Sequence, residues 1–320
     1  MEPIFATSRT RALTDLATPD ELRGPRWEQR AHGLWRPSAI VASESDGRVA
    51  DALALLTDGC VLGGWASLRF QGNPGFDGGA GPGPALVHCG SGAQLRRREV
   101  VEPCRGRLWD HEITVFDGVP VTTMARAVYD EMRLAPSVRA AVVALDLAVS
   151  RVSGTAHTSL RAVEQVVTSH RKTRGITQAR RALLLGSDRS ASPLETRTRL
   201  IAELDADLTG LLVNVPIFDA HGSLLGVADL LDEASGLVIE TDGAHHREAR
   251  HHTDDNVREE GFERAGLVVV RATALDHRDV YGLVRRLRLA HRDARLTRRR
   301  DWTLERPAWF ATWAPGRRWQ

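Results

Sequence analysis

Lysine is nearly absent from this chain. Of its 320 residues, 43 are lysine or arginine, and Lys172 is the single lysine. A site that normally relies on a lysine side chain must therefore use another residue here. Cysteine is scarce as well: Cys60, Cys89 and Cys104 form an odd, scattered set with neither zinc-binding nor disulfide spacing, which favours a reducing compartment.

Long apolar runs and an apolar leader are also missing. No run reaches about 18 apolar residues, so the sequence predicts no membrane span and no membrane partner. Residues 1–22 hold no apolar signal core, so we expect a cytoplasmic protein. With 42% hydrophobic and 26% charged residues and a net charge of +2, the composition is that of a globular protein with two or three domains.

Basic and aromatic residues are interleaved near the start. Thr18 begins a helix in TPDELRG, with Pro19 in the first turn and Glu21 as the capping acid. A short helix in the next stretch, GPRWEQRAHGLWRP, would make residues 1–45 a winged helix-turn-helix whose arginines contact DNA. The alternative is a small helical dock with its tryptophans in a core. The candidate DNA-binding residues are Arg23, Arg26, Arg30 and Arg36.

The middle of the chain has two further segments. Residues 46–135 mix short helical and extended stretches, with FDG as a hairpin turn between EITV and VPVTT, and predict a small mixed α/β unit. Residues 136–190 contain three stretches with apolar residues at helical spacing, which predict a helical linker.

Residues 191–292 show a regular element order. Ser192 caps a helix that starts with Pro193, and three strands, a helix, a strand and a closing helix follow. This αβββαβα order predicts an α/β (α+β) domain around one sheet.

Residues 293–320 form an Arg/Trp-rich tail, for which we keep three interpretations: it covers its own chain, seals a dimer, or stacks on bases. The overlapping stretch 285–300 has eight arginines and one acid. It is either a solvated helix face or a surface that contacts phosphates.

Carboxylates mark one end of the predicted rear sheet. Asp229 interrupts an apolar strand, where an acid without a partner is costly. Glu240 and Asp242 end the next strand and share one face, because strand side chains alternate. If these two strands pair antiparallel, Asp229 lies beside Glu240, and Glu195 at the start of the helix completes the cluster. Such acids repel one another unless a cation lies between them, and oxygen ligands suit Mg²⁺ or Mn²⁺.

These motifs together resemble the restriction-endonuclease-like PD-(D/E)XK nucleases, with the αβββαβ core of that fold. More closely, they are similar to the uncharacterised family related to very-short-patch-repair endonucleases. The matching stretches are SPLETRTR (192–199), VADL (227–230), IETDGAHH (239–246), DNVR (255–258), Gly266 and VVVR (268–271). The front half resembles the winged-helix and linker region of abortive-infection (AbiEi-type) antitoxins, through LRGPRWEQRAHGLWRP and GVPVTTMARAVYD.

The resemblance implies roles for individual residues. Asp229 and Glu240 would be the metal ligands, with Glu195 assisting directly or through water. The general nuclease pattern has a lysine two residues after the second acid, and here that position is Asp242. The uncharacterised family shares this acid–glycine pair, so the departure does not by itself imply loss of activity.

A base and a phosphate ligand must then come from other residues. A neutral histidine accepts a proton near pH 7, so His246, or its neighbour His245, is the candidate base. Arg258 on the following helix is the candidate ligand of the scissile phosphate, because its planar fork matches phosphate oxygens.

Each candidate also has a simpler interpretation. Asp242 with Gly243 could form only a turn, and the histidines could be exposed residues at a helix start or ligands of a zinc ion. Glu195 could be a first-turn acid that the helix dipole favours. Asp229 and Glu240 are the hardest to explain structurally, because both interrupt apolar strands.

The sequence thus predicts a cytoplasmic Mg²⁺-dependent endodeoxyribonuclease that hydrolyses phosphodiester bonds, in DNA repair or in defence against phage and other foreign DNA. The rival prediction is a catalytically inactive, antitoxin-like transcriptional regulator that binds DNA. Besides DNA, the candidate partners are a cognate toxin-like protein and a second copy of this chain.

Overall fold

The computed structural model describes residues 8–9, 17–39, 43–78, 83–152, 157–242 and 258–312. The chain divides into a front unit, residues 1–144 and 157–183, and a rear unit, residues 145–156 and 184–320. Both units combine helices with β-sheet, so the mixed α/β (α+β) class is confirmed.

The front unit has a three-stranded and a five-stranded sheet in the described residues. The first has the order β1-β3-β2 and the second the order β6-β5-β4-β8-β7. The strands are β1 (Ser8–Arg9), β2 (Trp27–Ala31), β3 (Leu34–Pro37), β4 (Cys60–Leu62), β5 (Ala85–Cys89), β6 (Val101–Cys104), β7 (Ile113–Phe116) and β8 (Val119–Thr122). The FDG hairpin is confirmed, because β7 and β8 pair antiparallel around Asp117 and Gly118.

Seven helices in the described residues occur among and after these strands along the chain. They are α1 (Pro19–Leu22), α2 (Glu44–Leu53), α3 (Gly64–Phe70), α4 (Met124–Leu134), α5 (Val138–Val149), α6 (Leu160–Ser169) and α7 (Ile176–Leu185). The predicted cap of α1 is confirmed, since Thr18 and Glu21 form a reciprocal capping box. The three helical stretches predicted in residues 136–190 are α5, α6 and α7.

The prediction of a short helix in GPRWEQRAHGLWRP is wrong, because this stretch forms the β2–β3 hairpin. Ala31 pairs with Leu34, so His32 and Gly33 form a two-residue turn, and Gly33 has the positive φ of 75° that such turns need. Along β3, burial alternates, which is the period of a strand rather than a helix. The winged-helix class stays a prediction, because residues 1–7 and 10–16 lie outside the described part.

The rear unit follows the predicted element order. Its elements are α8 (Pro193–Leu204), β9 (Leu212–Asp219), β10 (Leu224–Asp232), β11 (Leu237–Asp242), α9 (residues 258–264), β12 (Val268–Thr273), α10 (Val280–Leu296), β13 (Trp302–Thr303) and α11 (Ala308–Thr312). The sheet order is β12-β11-β10-β9-β13. Strands β9, β10 and β11 form an antiparallel meander, and β12 joins β11 in parallel.

The rear sheet has an apolar cluster on each face. Ile239 of β11 packs with Leu283 of α10, whereas its neighbour Val238 packs with Phe262 of α9. Consecutive strand residues point to opposite faces, so β11 is covered on both sides. This explains why GLVI reads as a continuous apolar run.

The tail adds a strand that the sequence did not predict. Trp302 pairs with Asp219 at the free edge of β9 and is itself buried. Trp309 donates from Nε1 to the Gly222 carbonyl at 3.0 Å. The described part of the tail therefore covers its own unit, while Trp313 and Trp319 lie outside the described residues.

Gly266 is expected to be intolerant of a side chain. Its φ is +93°, and a Cβ atom there would lie 2.4 Å from the Arg299 carbonyl oxygen. Gly266→Ala is therefore expected to lower the free energy of unfolding of the rear unit by about 2–3 kcal/mol. Gly210→Ala is the matched control: φ is +78° but nothing lies within 4 Å, so only about 1 kcal/mol of backbone strain is expected. If urea denaturation shows the same loss of unfolding free energy for Gly266→Ala and Gly210→Ala, this explanation is contradicted.

Candidate active site

Strand pairing brings Asp229 and Glu240 together. Strands β10 and β11 are antiparallel, and their register pairs Leu230 with Ile239. One residue further along, the Asp229 amide donates to Glu240 Oε1 at 3.4 Å. The predicted antiparallel pairing of these strands, and with it the juxtaposition of the two acids, is confirmed.

The Asp229 carboxylate is fixed by the neighbouring strand. Its Oδ2 accepts from the amide of Thr241 at 2.7 Å and from the hydroxyl of the same residue at 2.6 Å. Two donors on one oxygen favour the ionised form of a carboxylate and restrict its orientation. Asp229 thus presents its negative charge at the end of β11.

Glu195 enters the cluster from α8. Ser192 caps this helix, as predicted, and Glu195 lies in its first turn. The buried Oε2 atom accepts from the Ala191 amide at 2.8 Å and from Asn214 Nδ2 at 2.5 Å. These bonds hold the carboxylate against the sheet, so it is more than an exposed acid at a helix start.

Asn214 is a site residue that the sequence analysis missed. It is 2% exposed, has a φ of +48° and lies in the apolar strand β9. Its side chain links Glu195 to the Arg189 carbonyl oxygen. A single amide inside LVNVPIF was the available signal, because a buried amide needs hydrogen-bond partners.

Burial, followed by repulsion between neighbouring acids, dominates the electrostatics of the cluster. Burial, and then the charge of Asp229, raise the pKa of Glu195 from its ordinary 4.5 to about 7. The same two causes raise the pKa of Glu240 to about 7, although the charge of Arg258 acts in the opposite direction. Both buried carboxyls therefore keep their protons to a higher pH than an exposed glutamate does.

Arg258 provides a positive charge at the cluster. Its Nη2 donates to Glu240 Oε2 at 2.6 Å, and 37% of its side chain is exposed. Helix α9 approaches β10 closely there, because a Cβ on Gly226 would lie 2.7 Å from Arg258 Cγ and 2.9 Å from Phe262 Cζ. Gly226 is thus a second residue that the sequence analysis missed.

Asp242 is further from this group of contacts. It ends β11 and is half-buried, opposite Thr273 of β12. His245 and His246 lie outside the described residues, so the base assigned to them stays a prediction.

The donor set fits a hard divalent cation in chemistry, since all its ligands are carboxylate oxygens and a cation would lower the raised pKa values of Glu195 and Glu240. Within the described part of the chain, no three His, Cys, Asp or Glu side chains are already arranged to hold a metal ion. Asp229 and Glu240 are therefore the pair that would hold it, and Glu195 or a water would have to complete the coordination.

The four arginines predicted to contact DNA differ in environment. Arg30 donates to Asp51 at 3.1 Å, and Arg36 is 8% exposed within an ion pair of the hairpin. Arg23 and Arg26 are exposed. The geometry therefore gives Arg30 and Arg36 a structural role, and leaves Arg23 and Arg26 as the accessible candidates for phosphate contacts.

The arginine-rich stretch 285–300 lies mostly along α10. Five of its arginines form ion pairs with nearby acids. Arg285, Arg295 and Arg298 are exposed and form no ion pair within the described residues. These three cations are the ones available to a polyanion.

Comparison with family models, curated proteins and solved structures found no match to this chain. In the residues that the structure describes, no helix has the length and apolar character needed to cross a membrane.

The carboxyl cluster makes stability depend on pH. Between pH 4.5 and 7 folded Glu195 keeps a proton that the unfolded chain has released, so stability falls as pH rises through this window. Glu195→Gln removes this loss and is expected to raise the free energy of unfolding by about 2–3 kcal/mol at pH 8 and very little at pH 4. Urea denaturation at pH 4 and pH 8 measures this change in the free energy of unfolding. Glu263→Gln, at an exposed position of the same unit, is the control, and a gain of equal size at pH 4 and pH 8 would refute the explanation.

Proposed function

We propose that this protein is a metal-dependent endonuclease whose rear unit hydrolyses phosphodiester bonds in DNA. One observation carries the proposal: the buried acids Glu195 and Glu240 lie near the half-buried Asp229, and the pKa values of both buried carboxyls are raised to about 7. Apolar side chains packed at this end of the sheet would make the unit more stable than the three acids do. The repulsion between the acids is therefore better explained by a cation that they bind.

The chain's residues would divide the work as follows. Asp229 and Glu240 hold Mg²⁺ or Mn²⁺, with Glu195 closing the site. The bound ion supplies a polarised water and neutralises charge on the phosphate. Arg258, already at this end of the sheet, exchanges Glu240 for a phosphate oxygen. Arg285, Arg295 and Arg298 attract the polyanion.

A second candidate is a DNA-binding regulator that does not cut. The Arg258–Glu240 ion pair favours it, because an internal cation already neutralises part of the cluster. Asp242 in place of the usual nuclease lysine favours it as well. The restriction-endonuclease-like and winged-helix assignments belong to both proposals, as do the toxin-like partner and the homodimer.

Plasmid cleavage by the purified full chain separates the two candidates. We expect nicking or linearisation in Mg²⁺ or Mn²⁺, no cleavage in EDTA, and loss of cleavage in Glu240→Gln. Glu203→Gln is the matched control, because Glu203 lies on α8 with Glu195 but pairs with Arg199. Binding to labelled duplex DNA is measured on the same samples.

Each outcome points to one candidate. Cleavage that needs metal and Glu240 but not Glu203 supports the nuclease. Duplex binding without cleavage in either metal, unchanged in Glu240→Gln, supports the regulator. Neither cleavage nor binding would overturn both proposals.

A further inference from the structure

The five-stranded front sheet places a cysteine beside a buried histidine. Strands β5 and β6 are parallel, and their register pairs His88 with Cys104. The two side chains therefore project from the same face of the sheet. Strand β6 is at the edge of that sheet, and Cys104 is partly exposed and followed by the exposed Arg105 and Gly106. Small molecules in solvent can reach this end of the strand.

His88 is held by a fully buried carboxylate. Its Nε2 lies 2.8 Å from Asp130 Oδ2, and Asp130 is 0% exposed. Asp130 also accepts from Arg126 and Arg133, which keep it ionised. A Cβ on Gly63 would lie 2.8 Å from His88 Cδ2, so the backbone at this glycine packs directly against the ring. The bond to Asp130 and the close backbone of Gly63 therefore fix the imidazole ring in one orientation.

The second ring nitrogen is left for the thiol. His88 Nδ1 is buried and makes no hydrogen bond within the described residues. Because Nε2 is bound to Asp130, Nδ1 is the atom through which the ring acts on Cys104. Arg133 adds a positive charge, with Nη2 3.7 Å from Cys104 Sγ. Cys104, His88 and Asp130 thus lie in the order of a relay that activates sulfur nucleophiles.

The ionisation of these groups agrees with the geometry. Burial alone would raise the pKa of Cys104, but His88, the backbone of Gly106 and then Arg133 outweigh it and lower that pKa to about 7. Burial opposes protonation of His88, yet the bond to Asp130 raises its pKa. Both shifts favour a thiolate–imidazolium pair.

We propose that Cys104 is an oxidation site, at which the sulfur attacks hydrogen peroxide and becomes a sulfenic acid, with His88 as the acid that protonates the leaving group and Asp130 as the positioning residue. The thiolate forms an S–O bond as the O–O bond breaks, so sulfur loses two electrons and peroxide is reduced. The leaving hydroxide takes the proton from the His88 imidazolium and departs as water. The proposal is independent of the nuclease.

The other cysteines supply an internal comparison. Cys60 and Cys89 face each other across β4 and β5. Cys89 follows His88 directly, so its side chain projects from the opposite face of the sheet to that of Cys104. Burial and the proximity of Cys60 raise the pKa of Cys89 to about 11. Neither thiol is placed to resolve a Cys104 sulfenic acid into an internal disulfide.

The test is cysteine-resolved labelling of the full chain. Iodoacetamide alkylation is followed by peptide mass mapping from pH 5 to 9, and peroxide oxidation is trapped with dimedone at pH 7. We expect Cys104 to react at least about 10-fold faster than Cys89 at pH 7, with a rate midpoint near pH 7. In urea the three cysteines should react alike. A Cys104 midpoint at pH 8.5 or above in the folded protein would overturn the proposal without any variant.

A variant then tests His88. His88→Gln keeps a donor towards Asp130 and is expected to slow Cys104 labelling about 10-fold at pH 7 and to move its midpoint above pH 8. Cys89→Ser should leave both quantities unchanged. A His88→Gln protein whose circular dichroism is native but whose Cys104 midpoint stays near 7 would exclude the relay.

Discussion

Arg126→Met is expected to lower the free energy of unfolding of the front unit by about 3–5 kcal/mol. Arg126 is 1% exposed and donates from Nη1 to Glu112 at 2.6 Å and from Nε to Asp130 at 3.1 Å. His170 lies against the same guanidinium and bonds Glu112 at 2.7 Å. Methionine fills most of the volume but removes the cation that Glu112 and Asp130 share. Glu112 then keeps His170, while Asp130 keeps His88 and Arg133, and removing one partner from a buried charge network is far costlier than losing a surface pair.

The measurement is urea denaturation, with the front-unit transition identified by hydrogen exchange of the amides of α4. Arg23→Met is the control, because the Arg23–Asp20 pair is exposed and should contribute less than about 1 kcal/mol. The interpretation of Arg126 as the centre of a buried network is wrong if both variants lose the same free energy of unfolding, or if Arg126→Met destabilises only the rear unit.

The network around Arg126 shows what the sequence could not predict. The helical period of ARAVYDEMRL indicates α4 and places Asp130 one turn from Arg126, but two further partners, Glu112 and His170, come from positions 14 and 44 residues away. Local patterns contain no information about which distant charge lies opposite a buried one. The same holds for Cys104, whose scattered spacing gave no sign that the sheet register would place His88 beside it.

The rear unit was far more predictable. Its signals are local: Ser192 and Pro193 mark a helix start, and apolar runs separated by turn residues mark the strands. The meander then follows from short connections, because consecutive strands joined by tight turns pair with each other. Strand β13 was missed since it is two residues long, and its pairing depends on the position of the tail rather than on a pattern.

The acid cluster was predictable for a related reason. A charged residue inside an apolar strand contradicts the local pattern, and such contradictions concentrate at functional sites. Asp229 and Glu240 stand out in this way, and the structure brings them together. Asn214 and Gly226 support the cluster from strand positions where a polar or small residue gives a weaker signal. In the front unit, the aromatic and basic hairpin was misread because its alternation covers only a few residues.

Asp229→Asn is expected to have effects of opposite sign on stability and on function. Removing this charge lowers the pKa of both Glu195 and Glu240, because Asp229 is the neighbour that raises them after burial itself. Each unit of pKa corresponds to about 1.4 kcal/mol, so the free energy of unfolding at pH 8 should rise by about 1–3 kcal/mol. An asparagine oxygen can still accept the bonds from Thr241, so little packing is lost.

DNA cleavage and Mg²⁺ binding should decrease in Asp229→Asn, although stability increases. Without Asp229 the cluster loses one of the two carboxylates that hold the cation, so we expect cleavage to fall at least about 100-fold and stabilisation by added Mg²⁺ to disappear. Melting temperature with and without Mg²⁺, measured beside plasmid cleavage, reports both effects on one protein sample.

Asp276→Asn is a closely matched control. Asp276 accepts from the amide and hydroxyl of Thr273, both at 2.8 Å, as Asp229 does from Thr241. Its surroundings differ, however: burial acts to raise its pKa, but the Thr273 bonds and Arg286 outweigh burial and lower it. Neutralising Asp276 should therefore destabilise the protein at neutral pH and leave cleavage and Mg²⁺ stabilisation intact. If Asp229→Asn behaves like Asp276→Asn, the acids at the end of β10 and β11 are ordinary structural residues, and the metal-site proposal fails on stability data alone.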